Sequence, residues 1–310
     1  MAFVARSPSP RMPAQPQAIR RARGKRWRQL GLGLAFTSPW TIGFLWLTAG
    51  PMLLSLYESF TTYNLIMPPV WVGLDNYRNL FTDSLFITAF WNTMYLVAFM
   101  VPVNLLTALG YGLIMHQALR GQSIYRTLLY LPSLVPSVGG ALLAIWMLSP
   151  RYGIINYALS VVHLPGPLWF SDPNWAKPGL ILLSLWGAGN ATVIFLAALK
   201  GVPRELYEQA MIDGATSRQQ FIHITLPQIS PVIFFNVVTG TLGALQYFDA
   251  GVIIGGPGNS LLFMTIYLYR MGFSYLHMGY ACAIAWVLLL ISGILVGGLF
   301  VCQRWWVFYA

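Results

Sequence analysis

Charge is scarce in this chain: Asp, Glu, Lys and Arg together make up 8% of the 310 residues, against about 25% in an ordinary soluble domain. With 57% hydrophobic residues, so thin a polar coat excludes a water-soluble protein of this size, because one core could not hide that much apolar surface. Cysteine is nearly absent. Cys282 and Cys302 lie in or beside one apolar block, offer no disulfide framework or thiolate metal set, and read as small apolar residues packed in helices. His116, His163, His223 and His277 lack any H-x-x-x-H spacing, so no metal site is expected. No G-x-x-x-x-G-K-[ST] phosphate loop occurs, so the chain cannot be an ATPase of that type.

What the chain does have is hydrophobicity in long blocks, with a mean hydropathy of +0.63. Six blocks, near 33–57, 86–115, 127–149, 179–199, 229–252 and 279–301, are each long enough to span a bilayer at about 20 residues. The expected fold is therefore all-α, a polytopic membrane protein with six transmembrane helices. Pro39, Pro51, Pro132, Pro136 and Pro231 fall inside blocks, where neighbouring helices or polar side chains must satisfy the carbonyls that proline frees. No period of 20–50 residues repeats. One six-helix domain over 33–303 is expected, flanked by segments 1–32 and 304–310.

The net charge of +10 is not laid out as a nucleic-acid surface. Eight of the 18 Lys and Arg precede residue 30, unaccompanied by any acid and interleaved with Pro8, Pro10, Pro13 and Pro16. Segment 1–32 reads as a disordered cytoplasmic tail attracted to anionic lipid headgroups. Across the chain, the tail, the 116–126 and 200–228 loops and the 304–310 segment hold 14 basic residues, while the loops at 58–85, 150–178 and 253–278 hold 4. The excess of positive charge places the first set, and both termini, in the cytoplasm. In the outer loops, 70–82 mixes aromatic and polar residues as a short interfacial helix would. Trp169, Phe170 and Trp175 read as a membrane-interface belt.

One cytoplasmic segment stands apart. In 201–227, Pro203 suits the first turn of a helix and Glu205 and Glu208 sit near its positive end. Leu206, Tyr207, Ala210 and Met211 form one apolar stripe. Gly214 is placed for a left-handed cap. Ser217 and Gln220 have capping-box spacing for a second short helix that Pro227 would terminate. An apolar stripe facing the cytoplasm must be covered, either by the chain's own helix ends or by a soluble protein laid over it.

The segment Glu208-Gln209-Ala210, three residues, Gly214, nine residues, then Ile224-x-Leu226-Pro227 resembles the EAA loop of binding-protein-dependent ABC importer permeases. It departs at Gln209, where the family commonly has alanine. Val72 to Phe81, Gly255 to Ser260, Tyr267 to Phe273 and Met278 to Trp286 resemble corresponding stretches of the carbohydrate-uptake branch, specifically its maltose- and glycerol-phosphate-type first permease. The resemblance implies a type I importer permease fold in a bacterial cytoplasmic (inner) membrane. It implies a second, related permease, two copies of a cytoplasmic ATP-binding-cassette ATPase that bind the ATP and Mg, and an extracytoplasmic solute-binding protein. This chain would hold no cofactor of its own. Glu208, Gln209, Ala210, Gly214, Ile224, Leu226 and Pro227 would form the ATPase-coupling loop.

Two other classes are weighed against this. A secondary active transporter carries buried ionisable residues on several spans, whereas Asp249 is the one acid well inside a block. A multi-pass membrane enzyme needs a reactive cluster, and none is visible. Among polar residues in the spans, Asn92, Asn104 and Asn236 read as interhelical glue. Trp186, Asn190, Gln246, Tyr247, Phe248 and Asp249 flank the coupling loop on two blocks and are the candidate solute pathway, aromatic platforms with amide or carboxylate partners for a sugar. Gln246 with Asp249, and Trp186 with Asn190, would share helix faces at i, i+3 and i, i+4. The rival for Asp249 is a structural hydrogen bond to a neighbouring helix end.

Overall fold

A computed structural model of the chain describes residues 16–117 and 121–308; the expected tail therefore lies outside the described residues over 1–15. The fold divides into two units, Met1–Ser55 and Leu56–Ala310.

In the first unit, helix α1 spans Pro16–Phe44, a π-helical turn covers Leu45–Ala49, and α2 runs over Gly50–Glu58 into the second unit. Residues 16–32, expected to be disordered, are helical. Pro16 suits the first helical position, and the Ala, Arg, Lys and Gln residues that follow are strong helix formers. The first stretch long and apolar enough to cross a membrane is Gly31–Glu58. Pro39 cannot donate to the Ala35 carbonyl, and the Ser38 hydroxyl donates to it instead at 2.8 Å. Thr37 and Thr41 back-bond to the Gly33 and Thr37 carbonyls, each at 3.0 Å. Such side-chain bonds keep a span's backbone satisfied where no water reaches it.

The second unit opens with a hairpin, β1 (Thr61–Thr62) antiparallel to β2 (Val70–Trp71) with Thr61 opposite Trp71. This pair is the exception to the all-α expectation. The helix expected within 70–82 forms its second half, α3 (Asp75–Thr82). Then come α4 (Ser84–His116), α5 (Gln122–Tyr130), α6 (Ser137–Met147), α7 (Ile154–Val161), α8 (Pro173–Trp186), α9 (Gly189–Gly201) and α10 (Arg204–Ile212). The chain continues as α11 (Ser217–Gln220), α12 (Leu226–Leu245), α13 (Asp249–Ile254), α14 (Met264–Tyr269) and α15 (Met278–Cys302).

Ser84–His116, Ser217–Ile254 and Met278–Trp305 are likewise long and apolar enough to cross a membrane, and two bent pairs cover the remaining blocks. Ser123–Leu134 and Ser137–Met147 meet at 102°, and Pro173–Trp186 and Gly189–Gly201 at 51°. Pro132 and Pro136 flank the first bend, where they remove amide donors. Gly187 caps α8 at the second. Counted with each bent pair as one span, the described residues hold up to six spans, the number expected.

Helix α4 packs against α8, α9 and α12. At one end of the bundle the segment 260–264 is buried and pinned to α4. Asn92 Nδ2 donates to the carbonyls of Asn259 (2.9 Å) and Leu262 (3.1 Å), Lys177 Nζ donates to Asn92 Oδ1 at 2.9 Å, and the Met264 amide donates to Thr93 Oγ1 at 3.0 Å. Asn104 Nδ2 reaches Ser184 Oγ on α8 at 2.8 Å. Asn92 and Asn104 thus act as the interhelical glue expected of them, while Asn236 returns to the Val232 carbonyl of its own helix at 2.8 Å.

Asp83 ties this end together. Its Oδ1 caps α4 by accepting the Leu85 amide at 2.9 Å, and its Oδ2 accepts the hydroxyls of Tyr267 and Tyr280. Burial opposes the charge, but the two tyrosine bonds and the backbone amides of Leu85 and Phe86 outweigh it and hold the carboxyl below its ordinary value. A carboxylate shifted downward stabilises the fold above its unfolded pKa, and that contribution is lost as pH falls through the folded value. Asp83→Asn is expected to cost about 1 kcal/mol at neutral pH. Thermal midpoints of variant and parent should converge only below the usual carboxylate range of about 4.

Candidate functional site

The segment 201–227 builds a compact helical turn. Pro203 is the N-cap of α10 rather than its first helical residue. The helix ends as a Schellman motif: Gly214 has φ +75°, its amide donates to the Met211 carbonyl at 3.1 Å, and the Ala215 amide donates to Ala210 at 2.9 Å. The left-handed cap expected of Gly214 is present. The capping box of the next helix sits one residue earlier than expected, on Thr216 and Gln219, where the Thr216 amide donates to Gln219 Oε1 at 2.8 Å. Pro227 does not terminate that helix. A π-helical turn over Phe221–Thr225 lets the Leu226 amide reach the Phe221 carbonyl, and α12 carries on through the proline.

The apolar stripe divides. Tyr207 packs with Ile224 against a buried cluster of Ala108, Phe195, Leu199, Val202 and Ile229, and its hydroxyl pairs with Thr225 Oγ1 at 2.9 Å. Leu206 and Ala210 are half-buried, as are Leu226 and Pro227, while Glu208 and Gln209 are exposed. Met211 and Ile212, at 60% and 87% exposure, are left largely uncovered by the described residues. The chain's own helix ends therefore cover one edge of α10 and leave the other free.

Farther along α4, α9 and α12, the helices that supply this cluster, lies a cavity of about 640 Å³. Its polar lining is Asn104 from α4, Asn190 from α9, and Asn236, Thr239 and Tyr247 from or just beyond α12. Gly240 brings α12 against α4, where an added Cβ would touch Val101 at 3.4 Å, and Gly243 faces open space. Tyr247 is fixed by Thr265, whose hydroxyl donates to its carbonyl at 2.7 Å, and by edge-on contact with Phe263 at 5.8 Å.

Two of the six candidate pathway residues, Asn190 and Tyr247, line this cavity. The other four do not, for one reason: both helices break where they were expected to continue. Helix α8 ends at Trp186, so Asn190 belongs to the next, bent helix. Trp186 instead lines a smaller apolar cavity with Ala144, Met147 and Leu182. Helix α12 ends at Leu245, and residues 246–248 are not helical. Gln246 consequently points to the exposed surface, Phe248 packs edge-on to Tyr269 at 5.3 Å, and Asp249 Oδ2 accepts the Ser137 hydroxyl of α6 at 2.5 Å. For Asp249 the structural hydrogen bond to a helix end is what forms. Asn104 and Asn236, expected only as glue, and Thr239, not singled out at all, also line the 640 Å³ cavity; the i, i+3 spacing of Asn236 and Thr239 on one span was the available signal.

Residues 105–301 match the family described as binding-protein-dependent transport system inner membrane component. The chain is 41% identical over 305 residues to the probable ABC transporter permease protein YesP of Bacillus subtilis, covering 94% of this chain and 96% of that protein. It is 32% identical over 278 residues to the sulfoquinovosyl glycerol transport system permease protein SmoG of Agrobacterium fabrum, covering 87% and 90%. A chain in the crystal structure of a bacterial alginate ABC transporter, in complex with an alginate pentasaccharide-bound periplasmic protein, superimposes with a TM-score of 0.76 at 26% identity, covering 90% of this chain and 96% of that one.

Proposed function

This chain belongs to the family of binding-protein-dependent transport system inner membrane components, and on that footing we propose that it is one of two permeases of an ATP-driven importer for a sugar or closely related solute. An external binding protein delivers the solute, and a second, related permease completes the path. Two cytoplasmic ATP-binding-cassette subunits bind ATP and Mg and supply the energy. The sugar class is supported by relatives named for sulfoquinovosyl glycerol and lactose transport. The solved alginate complex supports a binding-protein partner.

The observation that carries the proposal is the placement of α10. Its covered edge, through Tyr207 and Ile224, is seated on α4, α9 and α12, the helices that farther along line the 640 Å³ cavity. Its free edge presents Met211 and Ile212. A soluble partner gripping that edge can move the cavity wall through α9 and α12, which is what conversion of ATP hydrolysis into alternating access requires. Glu208, Gln209, Ala210 and Gly214 supply the gripped helix and its stop, and Ile224, Leu226 and Pro227 its seat. The cavity is this chain's share of the path, with Asn104, Asn190, Asn236, Thr239 and Tyr247 offering the amides, hydroxyls and ring face that a sugar uses.

In this reading α10 and both termini face the cytoplasm, following the basic-residue count. A reporter fused after residue 215 should be active only in its cytoplasmic form, and an externally active reporter there contradicts the orientation. Asn190→Ala is expected to raise half-saturating solute for uptake about fivefold, the worth of one hydrogen bond of about 1 kcal/mol. Assembly should be normal, and Gln246→Ala should have no effect. Equal losses in both variants would remove the cavity from the path.

A further inference from the structure

Beyond α15 the chain folds back onto α12. A 3-10 turn covers Gln303–Trp305, and the Val307 amide donates to the Gln303 carbonyl at 2.8 Å. The Trp306 ring meets the buried Phe234 ring edge-on at 6.0 Å, beside Phe300 of α15 at 5.0 Å. The Phe308 amide then donates to Ser230 Oγ at 2.9 Å. Ser230 is 3% exposed, and its hydroxyl donates in turn to the Pro227 carbonyl at 2.7 Å.

That carbonyl lacks its usual helical partner, because the residue four positions on is Pro231, which has no N–H. Pro227 is equally unable to serve the His223 carbonyl, and the backbone widens there into the π turn. Two prolines thus remove two rungs from the start of α12, between the α10 loop and the cavity. One gap falls beside a wider turn, and the other is met by a serine hydroxyl that also holds the returning segment.

We propose that residues 303–308 form a strap that stiffens this weakened turn through Ser230, so that displacement of α10 passes along α12 to the cavity wall. Ser230 is then a positioning residue for energy coupling. The proposal rests on the reading of α10 as the ATPase contact. With the strap seated, the N-terminal part of α12 is tied to the segment after α15 at Ser230 and Phe234. A push on α10 through 221–227 must then tilt α12 as a body, carrying Asn236 and Thr239. With the strap gone, the same push is absorbed by bending at the prolines.

The test is hydrogen–deuterium exchange on the assembled importer in lipid nanodiscs, with and without MgATP and vanadate. The parent is compared with Ser230→Ala, Ser230→Thr, a chain stopped after Cys302, and Ser230→Ala combined with that stop. In the parent, nucleotide should change exchange both at 204–216 and at 231–245. Ser230→Ala and the shortened chain should each keep the change at 204–216 and reduce that at 231–245 about fivefold. The combined variant should be no worse than either alone, since both remove one link, and Ser230→Thr should restore the response. An undiminished response at 231–245 in both variants overturns the strap while leaving the coupling loop standing. So do losses that multiply in the combined variant, or a general rise in exchange across 84–116 without nucleotide, which marks a merely structural role. Absence of any nucleotide response at 204–216 in the parent overturns the coupling reading itself, and the strap with it.

Discussion

Gly214→Pro is expected to abolish uptake while leaving insertion of the chain in the membrane intact. Gly214 holds φ at +75°, and proline is locked near −65°, so the turn after α10 cannot close. The substitution also deletes the amide that donates to Met211 and disfavours helical geometry at Asp213. A cost of about 3 kcal/mol or more falls on one exposed turn, where an added Cβ meets no neighbouring side chain, so the damage stays in the loop. Radiolabelled solute uptake per membrane-inserted chain should fall to background. Gly214→Asn, which tolerates left-handed geometry, should retain much of it. Normal uptake by the proline variant would remove the α10 turn from the transport mechanism.

The largest effect on the fold itself is expected from Gly279→Val. A Cβ on Gly279 would lie 2.0 Å from the Thr61 carbonyl oxygen and 3.1 Å from that of Glu58. The Gly279 amide donates to the Tyr63 carbonyl at 3.2 Å, so α15 begins in backbone contact with the hairpin. Neither backbone can yield as a flexible side chain would. Overpacking of about 1–3 kcal/mol is the minimum consequence, with separation of the hairpin from α15 and loss of the bond to Tyr63. The thermal midpoint of the purified chain should drop by several degrees, with new proteolytic cleavage at 61–71. Gly293→Ala, where an added Cβ meets nothing within 4 Å, is the control and should match the parent. Equal midpoints for all three proteins would contradict the close approach.

What could be read from the sequence is what depends on neighbours in the sequence. Six spans follow from block length and composition, and Gly214 announces its own cap because turn chemistry is local. The cap of the second short helix was missed by one position because Thr216 with Gln219 and Ser217 with Gln220 satisfy the same rule equally well. The interior was less legible. Pairing Trp186 with Asn190 assumed an unbroken helix, although Gly187 and Gly189 between them carried a warning. No glycine or proline marks the break at 246–248; it is held by Thr265 and Phe263, nearly twenty residues away. A polar residue in a span is glue or path according to which face meets which neighbour. Asn104 turned out to be both, bonded to Ser184 and lining the cavity. No residue-by-residue reading could assign that, since it depends on the packing of α4 against two bent spans.

If an ATPase grips the free edge of α10, a photo-crosslinking residue placed at Ile212 in native membranes must capture it. Ile212 is 87% exposed and lies beyond the edge that Tyr207 seals. One dominant adduct is expected, between this chain and a soluble ATP-binding-cassette subunit, with none formed from the same residue placed at Arg151. Adducts at Ile212 confined to lipid or to the chain's own helices would contradict it.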